Sequence, residues 1–460
     1  MRGLRLLVTV ALCLRAATAQ AQFQPIVRLA EAGYPDAKCL DGSSGAYYFR
    51  PGVAPAFAPA ATRWLWYFEG GGWCTSEDSC LWRSYTQLGS SVNYTTKFGD
   101  DPNNWAGGLF DADCTQNALF CQFNLVYVKY CDGNSYAGAR DGPLTVQGKP
   151  LWFRGAAIRE SVIDHLRRTA AFDDATEILV SGCSAGALAA YLHADSFYAT
   201  AKAVAPQLRR FAAAPASGFF LDHTNYLYQR MYATQMHTIY NLSNASGGLG
   251  PTCLERLPPG QRWRCQFAEY AFTHSAVPTF VLNSKTDMAQ IPLQFLSFLN
   301  GSLVPPYSQE CRYTFPFPFH GCFTSDNIQP LLGFEADFVS RVYEVPGFLR
   351  PENGFFVSSC WTHCEAQLPQ SWNDVTIAGT SMRVAVERWW NGTGLPGAPR
   401  RPVEAAPGDA GGITERVHRA AALGGAADGG GYTVGAHGYV DCAWSASPPF
   451  FCNPTCPIVP

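Results

Sequence analysis

One short stretch, residues 182–186 with the sequence Gly-Cys-Ser-Ala-Gly, constrains the fold of this chain more than any other feature. It follows residues 177–181, a mostly apolar run with the length of a buried strand, and precedes residues 187–197, whose apolar residues recur at helical spacing. Small residues around Ser184 let the backbone turn sharply and leave the serine hydroxyl exposed at the helix N-terminus. The pattern predicts a strand–turn–helix unit that exposes Ser184. The alternative is an ordinary glycine-rich turn.

The cysteine content and the amino-terminal residues indicate a secreted protein. The chain has 460 residues, 47% of them hydrophobic, so it can bury a large core without disulfides, and yet it contains 17 cysteines. Residues 1–21 combine Arg2 and Arg5 with an apolar run and a small-residue cleavage site, the pattern of a signal peptide. Its removal takes Cys13 away and leaves 16 cysteines. An even number in an oxidising compartment favours disulfides over metal ligands, although the sequence leaves their pairing open.

Charge and hydropathy argue against several classes of partner. The formal charge of -3 and the pI near 6.3 give no basic footprint for nucleic acid or for an anionic membrane surface. No apolar run of about 18 residues follows the signal peptide, so we expect no membrane span. We also expect a monomer. Five N-glycosylation sequons agree with a secretory route: Asn93, Asn241, Asn244, Asn300 and Asn391.

Strand-like and helix-like segments alternate along the chain. Residues 153–169 have apolar positions at helical spacing. Five segments have the pattern of strands: residues 63–68, 123–129, 178–181, 279–282 and 354–357. This alternation, together with the serine turn, predicts an α/β-hydrolase-like fold with a mostly parallel, doubly wound sheet. The functional residues then belong at the carboxyl ends of the strands.

The composition changes near residue 395. We predict a signal peptide over residues 1–21, one hydrolase-like domain over 22–395, and a flexible segment rich in Gly and Ala over 396–431. Residues 432–460 form a tail that is not a domain of its own. Its three cysteines, Cys442, Cys452 and Cys456, are expected to tie it to the folded body.

A serine hydroxyl needs a histidine to accept its proton and a carboxylate to orient that histidine. In α/β-hydrolases these follow in the chain order serine, acid, histidine. His363 is the preferred base, because it follows a predicted strand and lies between Cys360 and Cys364, which can fix its loop. It competes with an ordinary role as a half-buried loop histidine. The other candidates are His274, His320 and His437.

Asp287 is the preferred acid, because an apolar strand ends just before it. The alternative is an aspartate that only caps backbone donors. His193 and Asp195, on the helix after the serine turn, are interpreted as packing residues. Cys183 points away from the exposed tip of the turn, so we expect it to be buried or disulfide-bonded. No cysteine or histidine spacing gives a convincing zinc site, and we expect neither metal nor cofactor.

Ester chemistry also needs hydrogen-bond donors for a developing oxyanion. Residues 69–74, Glu-Gly-Gly-Gly-Trp-Cys, directly follow a predicted strand, where lipases and esterases have a glycine-rich loop with this function. The expected donors are the amides of Gly72, Trp73 and Ala185. The alternative is a glycine-rich turn with a purely steric purpose.

The chain resembles the pectin acetylesterase family, which also contains the Notum carboxylesterases. Beyond the turn and loops already described, similar stretches recur in the family's order: residues 38–43, 130–133, 151–155 and 217–222. The resemblance extends from about residue 37 to about residue 391. It implies a serine esterase that removes O-acetyl groups from a polysaccharide. It also implies that Ser184, Asp287 and His363 are nucleophile, acid and base, with oxyanion donors at Gly72, Trp73 and Ala185.

The departures from the family concern the substrate more than the chemistry. Lys285 and Thr286 replace a small residue and an aromatic before the acid, and residues 288–290 lack the usual tryptophan. The serine turn and the Cys-x-x-His-Cys pattern look more like the plant polysaccharide deacetylases than like Notum. Two alternatives stay open: a Notum-like deacylase for longer acyl chains, and an inactive secreted carbohydrate-binding protein. Three tryptophans near the loops either stack on sugar rings or pack in the core: Trp73, Trp82 and Trp361.

Overall fold

A computed structural model describes most of the chain between residues 22 and 457. The described residues are 22–53, 61–101, 104, 107–298, 302–303, 305, 324–393, 432–434, 436–443 and 452–457. Several predictions lie outside them: the signal peptide, the segment 396–431, the sequon at Asn300 and the candidate base His320.

The described strands belong to one large sheet and two small hairpins. In chain order they are β1 (Val27–Arg28), β2 (Ala46–Arg50), β3 (Arg63–Phe68), β4 (Asn124–Val128), β5 (Leu144–Val146), β6 (Lys149–Leu151), β7 (Glu177–Cys183), β8 (Arg210–Ala216), β9 (Phe280–Ser284), β10 (Gly354–Ser358), β11 (Thr376–Ile377), β12 (Thr380–Ser381), β13 (Tyr432–Val434) and β14 (Gly438–Val440). Within the described residues the large sheet has the order β1-β2-β4-β3-β7-β8-β9-β10-β14-β13. Pairing is parallel from β4 through to β14 and antiparallel at β1–β2, β2–β4 and β14–β13. The predicted α/β-hydrolase-like fold is therefore confirmed.

Helices cover both faces of this sheet. They are α1 (Glu77–Arg83), α2 (Gly155–Thr169), α3 (Ala185–Val204), α4 (Met231–Leu242), α5 (Pro251–Leu254), α6 (Ala268–His274), α7 (Gln329–Glu344), α8 (Pro346–Leu349), α9 (Pro369–Asn373) and α10 (Met382–Asn391). Short 3₁₀ helices occur at Phe98–Asp100, Gly108–Phe110, Phe172–Asp174, Ala245–Gly247, Pro259–Gln266 and Glu365–Gln367, and a π-helix at Ile291–Phe295. No helix in the described ranges has both the length and the apolar character needed to cross a bilayer.

Side chains of the central strand β3 alternate between two cores. Trp64, Trp66 and Phe68 pack on the face that α2 and α3 cover, where the Trp66 ring meets Phe197 of α3 at 4.7 Å. Leu65 and Tyr67 point to the opposite face, which α9 and α10 cover. This alternation follows from the two-residue period of a strand. Because both faces are apolar, the strand is buried on both sides and occupies the middle of the sheet.

The five predicted strands correspond to β3, β4, β7, β9 and β10. The prediction did not include β8, whose sequence Arg-Phe-Ala-Ala-Ala-Pro-Ala has few strand-forming residues. It also placed no strand in the tail, although β13 and β14 extend the main sheet.

Seven disulfides join described residues. The pairs are Cys39–Cys131, Cys74–Cys80, Cys114–Cys121, Cys183–Cys364, Cys253–Cys265, Cys360–Cys456 and Cys442–Cys452. The expectation of structural disulfides is thus confirmed. Cys360–Cys456 ties the tail to the folded body as predicted, whereas Cys442–Cys452 closes a loop within the tail.

Candidate active site

The serine turn, residues 182–186, is a strained link between β7 and α3. Ser184 has φ 57° and ψ -126°, a backbone conformation that non-glycine residues adopt rarely and that concentrates at functional sites. A Cβ atom on Gly182 would lie 2.3 Å from the carbonyl oxygen of Gly186, and a Cβ atom on Gly186 would lie 2.1 Å from the carbonyl oxygen of Phe68, so neither position accommodates a side chain. The spacing of the two glycines therefore has a steric cause. It places Ser184, which is half-buried, at the carboxyl end of a central strand.

Asp287 lies three residues beyond the end of β9, in residues 285–290, which we call the acid loop. Its side chain is 1% exposed, and each carboxylate oxygen has its own partners. Oδ1 accepts hydrogen bonds from the backbone amides of Ala289 (2.8 Å) and Gln290 (2.9 Å). Oδ2 accepts a hydrogen bond from Nδ1 of His363 at 2.8 Å. One oxygen thus caps backbone donors and the other holds the imidazole, so that Nε2 of His363 is left as a proton acceptor.

His363 follows β10 in residues 359–364, which we call the base loop. Cys364 is disulfide-bonded to Cys183, the residue before Ser184, with Cα atoms 5.2 Å apart. A ring nitrogen of His363 lies within 4.8 Å of both sulfur atoms of this disulfide. The backbone amide of Cys364 also donates to Oγ of Ser217 at 2.9 Å. The base loop is therefore attached directly to the serine turn.

His363 is hydrogen-bonded to its acidic partner Asp287, whereas its relation to Ser184 is different. Among the described residues, no hydrogen bond joins the Ser184 hydroxyl to His363. Catalytic hydrogen bonds are often long in free enzymes and shorten when substrate binds. Cys183 is buried and disulfide-bonded, which agrees with the prediction for this residue. Because its sulfur and that of Cys364 share a disulfide, neither offers a thiolate to a metal ion.

Three other histidines that the sequence analysis considered have surroundings different from those of His363. His274 ends α6, where burial together with the charges of Arg256 and Arg350 lowers its pKa. His437 contacts Gly354 at the amino end of β10, whereas His363 follows the carboxyl end of the same strand. His193 is buried, and its Nε2 pairs with the carbonyl oxygen of Ser135 at 2.8 Å. Burial lowers the pKa of His193 well below its usual range, which fits a neutral packing residue.

Residues 69–74, the glycine loop, follow β3 on the other side of the serine turn. A Cβ atom on Gly70 would lie 2.8 Å from Cβ of Ser184, so the loop contacts the turn. Gly72 has φ 67°. In the described part of the chain, the amides of Gly72, Trp73 and Ala185 have no hydrogen-bond partner. The amides predicted as oxyanion donors are thus not used by hydrogen bonds within the described protein.

Two buried side chains fix the orientation of the peptide groups in this loop. Nη2 of Arg83, on α1, donates to the carbonyl oxygen of Gly71 at 2.7 Å. The hydroxyl of Tyr130 donates to the carbonyl oxygen of Gly72 at 2.8 Å. In a trans peptide the C=O and the following N–H point in opposite directions. Fixing these carbonyls toward the protein therefore turns the amides of Gly72 and Trp73 the other way.

The three tryptophans that the sequence singled out have different surroundings. Nε1 of Trp73 donates to Oγ of Ser135 at 2.8 Å, and its ring packs on Phe220 with centroids 5.0 Å apart. Trp361 packs against the core. Trp82, on α1, is 71% exposed and is the one whose ring faces solvent.

Several residues that contact the loops of the candidate site were not predicted from the sequence. Tyr130 and Ser217 belong to stretches that the family resemblance had marked, so their recurrence was an available signal. Arg83 carried no signal, because an arginine on a short helix is ordinarily solvent-exposed. Glu365, two residues after His363, is fully buried, and Oε2 accepts a hydrogen bond from Oγ of Ser358 at 2.8 Å. Burial, opposed by this bond and reinforced by Asp287 and Asp441, raises its pKa to about 8.

The strained serine at the carboxyl end of a central strand, in a mostly parallel sheet, makes this chain an α/β-hydrolase-like protein. A family model described as pectinacetylesterase matches residues 17–398. The chain belongs to that family, and it is a carboxylic ester hydrolase.

Individual relatives agree with this placement. Pectin acetylesterase 7 of Arabidopsis thaliana is 29% identical over 376 residues, which span 80% of this chain and 88% of that protein. Pectin acetylesterase 5 of the same plant is 28% identical over 361 residues, spanning 76% of this chain and 77% of that protein. The palmitoleoyl-protein carboxylesterase NOTUM of Schmidtea mediterranea is 23% identical over 359 residues, spanning 76% of this chain and 60% of that protein. The chain is more similar to these plant enzymes than to this NOTUM.

Proposed function

We propose that this chain is a secreted serine carboxylesterase that removes O-acetyl groups from a cell-wall or extracellular polysaccharide. The observation that carries the proposal is the 2.8 Å hydrogen bond between His363 and Asp287 in a loop that a disulfide attaches to the serine turn. The seven disulfides and the signal-peptide pattern support secretion. The names of the plant relatives support an acetylated pectin as the class of substrate.

In the proposed mechanism Ser184 is the nucleophile. Its hydroxyl proton passes to Nε2 of His363 while Oγ forms a bond to the ester carbonyl carbon. Asp287 holds the imidazole through Nδ1 and stabilises the imidazolium that forms. The amides of Gly72, Trp73 and Ala185 donate to the carbonyl oxygen as it becomes negative.

Collapse of this intermediate breaks the bond to the sugar oxygen. That oxygen takes the proton from His363 and leaves as a hydroxyl group, and an acetyl ester remains on Ser184. Water then loses a proton to His363 and attacks the acetyl carbon. Ser184 recovers its proton, and acetate is released. His363 carries each proton that moves between the serine, the sugar oxygen and the attacking water, and the acetic acid that leaves loses its own proton to the solvent.

The test is acetate release from acetylated pectin by the wild type and by Ser184→Ala. We expect the wild type to release acetate and the folded variant to release none above background. Retained activity in the folded variant would contradict the proposed nucleophile. A series of aryl esters from acetate to long acyl chains then separates the alternatives. Activity limited to a few carbons supports the acetylesterase, a preference for long chains favours a Notum-like deacylase, and no ester hydrolysis at all favours a carbohydrate-binding protein.

A further inference from the structure

The carboxyl-terminal segment, which we define as residues 436–443 and 452–457, lies beyond the end of the family match at residue 398. It nevertheless joins the part of the sheet that carries the candidate base. Strand β14 pairs in parallel with β10, with Phe356 opposite Tyr439 and Val357 opposite Val440. The ladder continues with a hydrogen bond from the amide of Asp441 to the carbonyl oxygen of Val357 at 2.9 Å. Asp441 is thereby placed beside the start of the base loop.

Asp441 is 2% exposed, and its carboxylate is bound to the base loop. Oδ2 accepts hydrogen bonds from the backbone amide of Ser359 (3.0 Å) and from Oγ of Ser359 (2.8 Å). It also accepts one from Nδ2 of Asn453 at 2.7 Å. Ser359 is the first residue of the loop that ends in His363 and Cys364. Hydrogen bonds to a buried carboxylate are stronger than neutral ones, so this contact fixes where the loop begins.

The same segment contacts the acid loop through Lys285. This lysine is 1% exposed, and Nζ donates to the carbonyl oxygens of Asp441 (2.9 Å) and Cys442 (2.8 Å). It also forms an ion pair with Glu335 of α7 at 3.0 Å. Lys285 is two residues before Asp287, and the family resemblance gives a small residue at its place. Lys285, which departs from the family pattern, is therefore hydrogen-bonded to the carboxyl-terminal segment, which lies outside the family match.

A disulfide adds a covalent connection to these contacts. Cys360 in the base loop is bonded to Cys456, with Cα atoms 5.3 Å apart. Together with Cys183–Cys364, it attaches both ends of the base loop to other parts of the chain. Between these two attachments lies His363.

We propose that Asp441 is a positioning residue for the His363–Asp287 pair, and that the carboxyl-terminal segment fixes the position of the base loop relative to the acid loop. This inference rests on the proposed function of that pair. The physical reason is geometric, because displacing a catalytic group by about 1 Å can cost on the order of 100-fold in rate. Loss of the segment's contacts is therefore expected to lower kcat rather than substrate affinity.

The first test is Asp441→Asn, which keeps the shape and replaces one acceptor oxygen by an amide group. An amide nitrogen at the Oδ2 position would face the donors of Ser359, and one at the Oδ1 position would face the backbone amide of Cys442, which donates to Oδ1 at 2.9 Å and belongs to the carboxyl-terminal segment. We expect kcat for an aryl acetate to fall about 10- to 100-fold, with KM changed less than about twofold. The matched control is Asp195→Asn, because Asp195 accepts a backbone hydrogen bond from Ala276 at 3.0 Å and contacts neither loop. The control should keep wild-type kcat.

The second test removes one disulfide at a time. Cys360→Ser with Cys456→Ser removes the covalent link between the base loop and the segment, and Cys114→Ser with Cys121→Ser removes a disulfide remote from both loops. We expect the first pair to lower kcat about 10-fold and the second to leave it unchanged. The value of kcat is expressed per site titrated with a fluorophosphonate, so unfolded molecules do not affect it. This normalisation keeps the test valid for a variant that folds only in part.

The inference is overturned if Asp441→Asn and the Cys360/Cys456 variant both keep wild-type kcat per titrated site. A segment needed only for folding gives that result, since it lowers the titrated fraction alone. A wild type that neither binds the fluorophosphonate nor hydrolyses the ester contradicts the proposed function instead. The two failures are therefore distinguishable.

Discussion

The serine turn and the base loop are joined by one disulfide, yet different kinds of interaction hold them. The serine turn is local: β7, Ser184 and α3 follow one another, and the close approach of Gly182 to Gly186 fixes the backbone between them. The base loop has no regular structure of its own. It is held by partners remote in sequence: Asp287 at 76 residues, Asp441 at 82, Ser217 at 147 and Cys183 at 181.

The candidate site thus combines two sources of rigidity. The serine turn is fixed by close backbone contacts within residues 182–186 and with the carbonyl oxygen of Phe68 in the neighbouring strand β3. A loop held by hydrogen bonds and disulfides depends on every segment that contacts it, including one outside the family match. The two regions should therefore respond differently to mutation and to pH.

The largest expected effect is that of removing the proposed base. His363→Ala should lower kcat by on the order of 10,000-fold or more, because without the imidazole nothing accepts the serine proton. The fold should persist, since the side chain is at the surface of the site, and thermal unfolding should change little. His274→Ala is the matched control and should keep full activity. Equal losses in both variants would show that the effect is not specific to the base loop.

A second effect concerns pH and arises at Glu365, the residue directly after the base loop. The pKa of Glu365 rises from its ordinary 4.5 to about 8 on folding. Between these values the folded protein keeps a proton that the unfolded chain releases, so stability should fall as pH rises from 4.5 to about 8. Glu365→Gln should remove this dependence and raise the free energy of unfolding at pH 8 by a few kcal/mol, on the order of 2–4 kcal/mol. Denaturant unfolding at pH 5 and pH 8 measures it, and equal pH dependence in both proteins would contradict the expectation.

A third change breaks the serine turn by steric means alone. Gly182→Ala brings a Cβ atom to 2.3 Å from the Gly186 carbonyl oxygen, so the backbone has to shift. We expect a loss of about 1–3 kcal/mol in stability and a clear fall in kcat. Gly333→Ala on α7 is the control, because a Cβ there meets nothing within 4 Å and should leave stability equal or higher. Urea unfolding of the two variants compares them, and wild-type stability with wild-type kcat in Gly182→Ala would remove the steric explanation.

The smallest expected effect concerns the orientation of the backbone amides in the glycine loop. Arg83→Met removes the donor to the Gly71 carbonyl oxygen, which should lower kcat about 10-fold with KM changed less than about twofold. Arg83→Lys, which keeps one donor, should recover part of the loss. Arg209→Met is the control, since that side chain is 70% exposed and lies outside the site. An increase in KM with constant kcat would indicate a role in substrate binding rather than in orienting the amides.

The same distinction between local and remote contacts explains what the sequence predicted. The serine turn, the glycine loop and the post-strand aspartate are each encoded within a few consecutive residues, so composition and spacing were enough to predict Ser184, Gly72 and Asp287 as site residues. The base was identified through flanking cysteines, while His274 and His437 required coordinates to be compared with it. Arg83 and Asp441 were missed because each acts through a partner remote in sequence. The strand β8 was missed because alanine and proline carry no strand pattern, and its sheet neighbours supply the pairing instead.

The proposal that Ser184 is the nucleophile is tested most directly by identifying the residue that reacts with a fluorophosphonate. The wild-type protein is labelled to completion, digested and sequenced by mass spectrometry while acetate release from acetylated pectin is followed on the same sample. We expect a single adduct on Ser184, formed at the rate at which acetate release is lost and absent from His363→Ala. An adduct on another residue, or undiminished acetate release from protein fully labelled at Ser184, would contradict it.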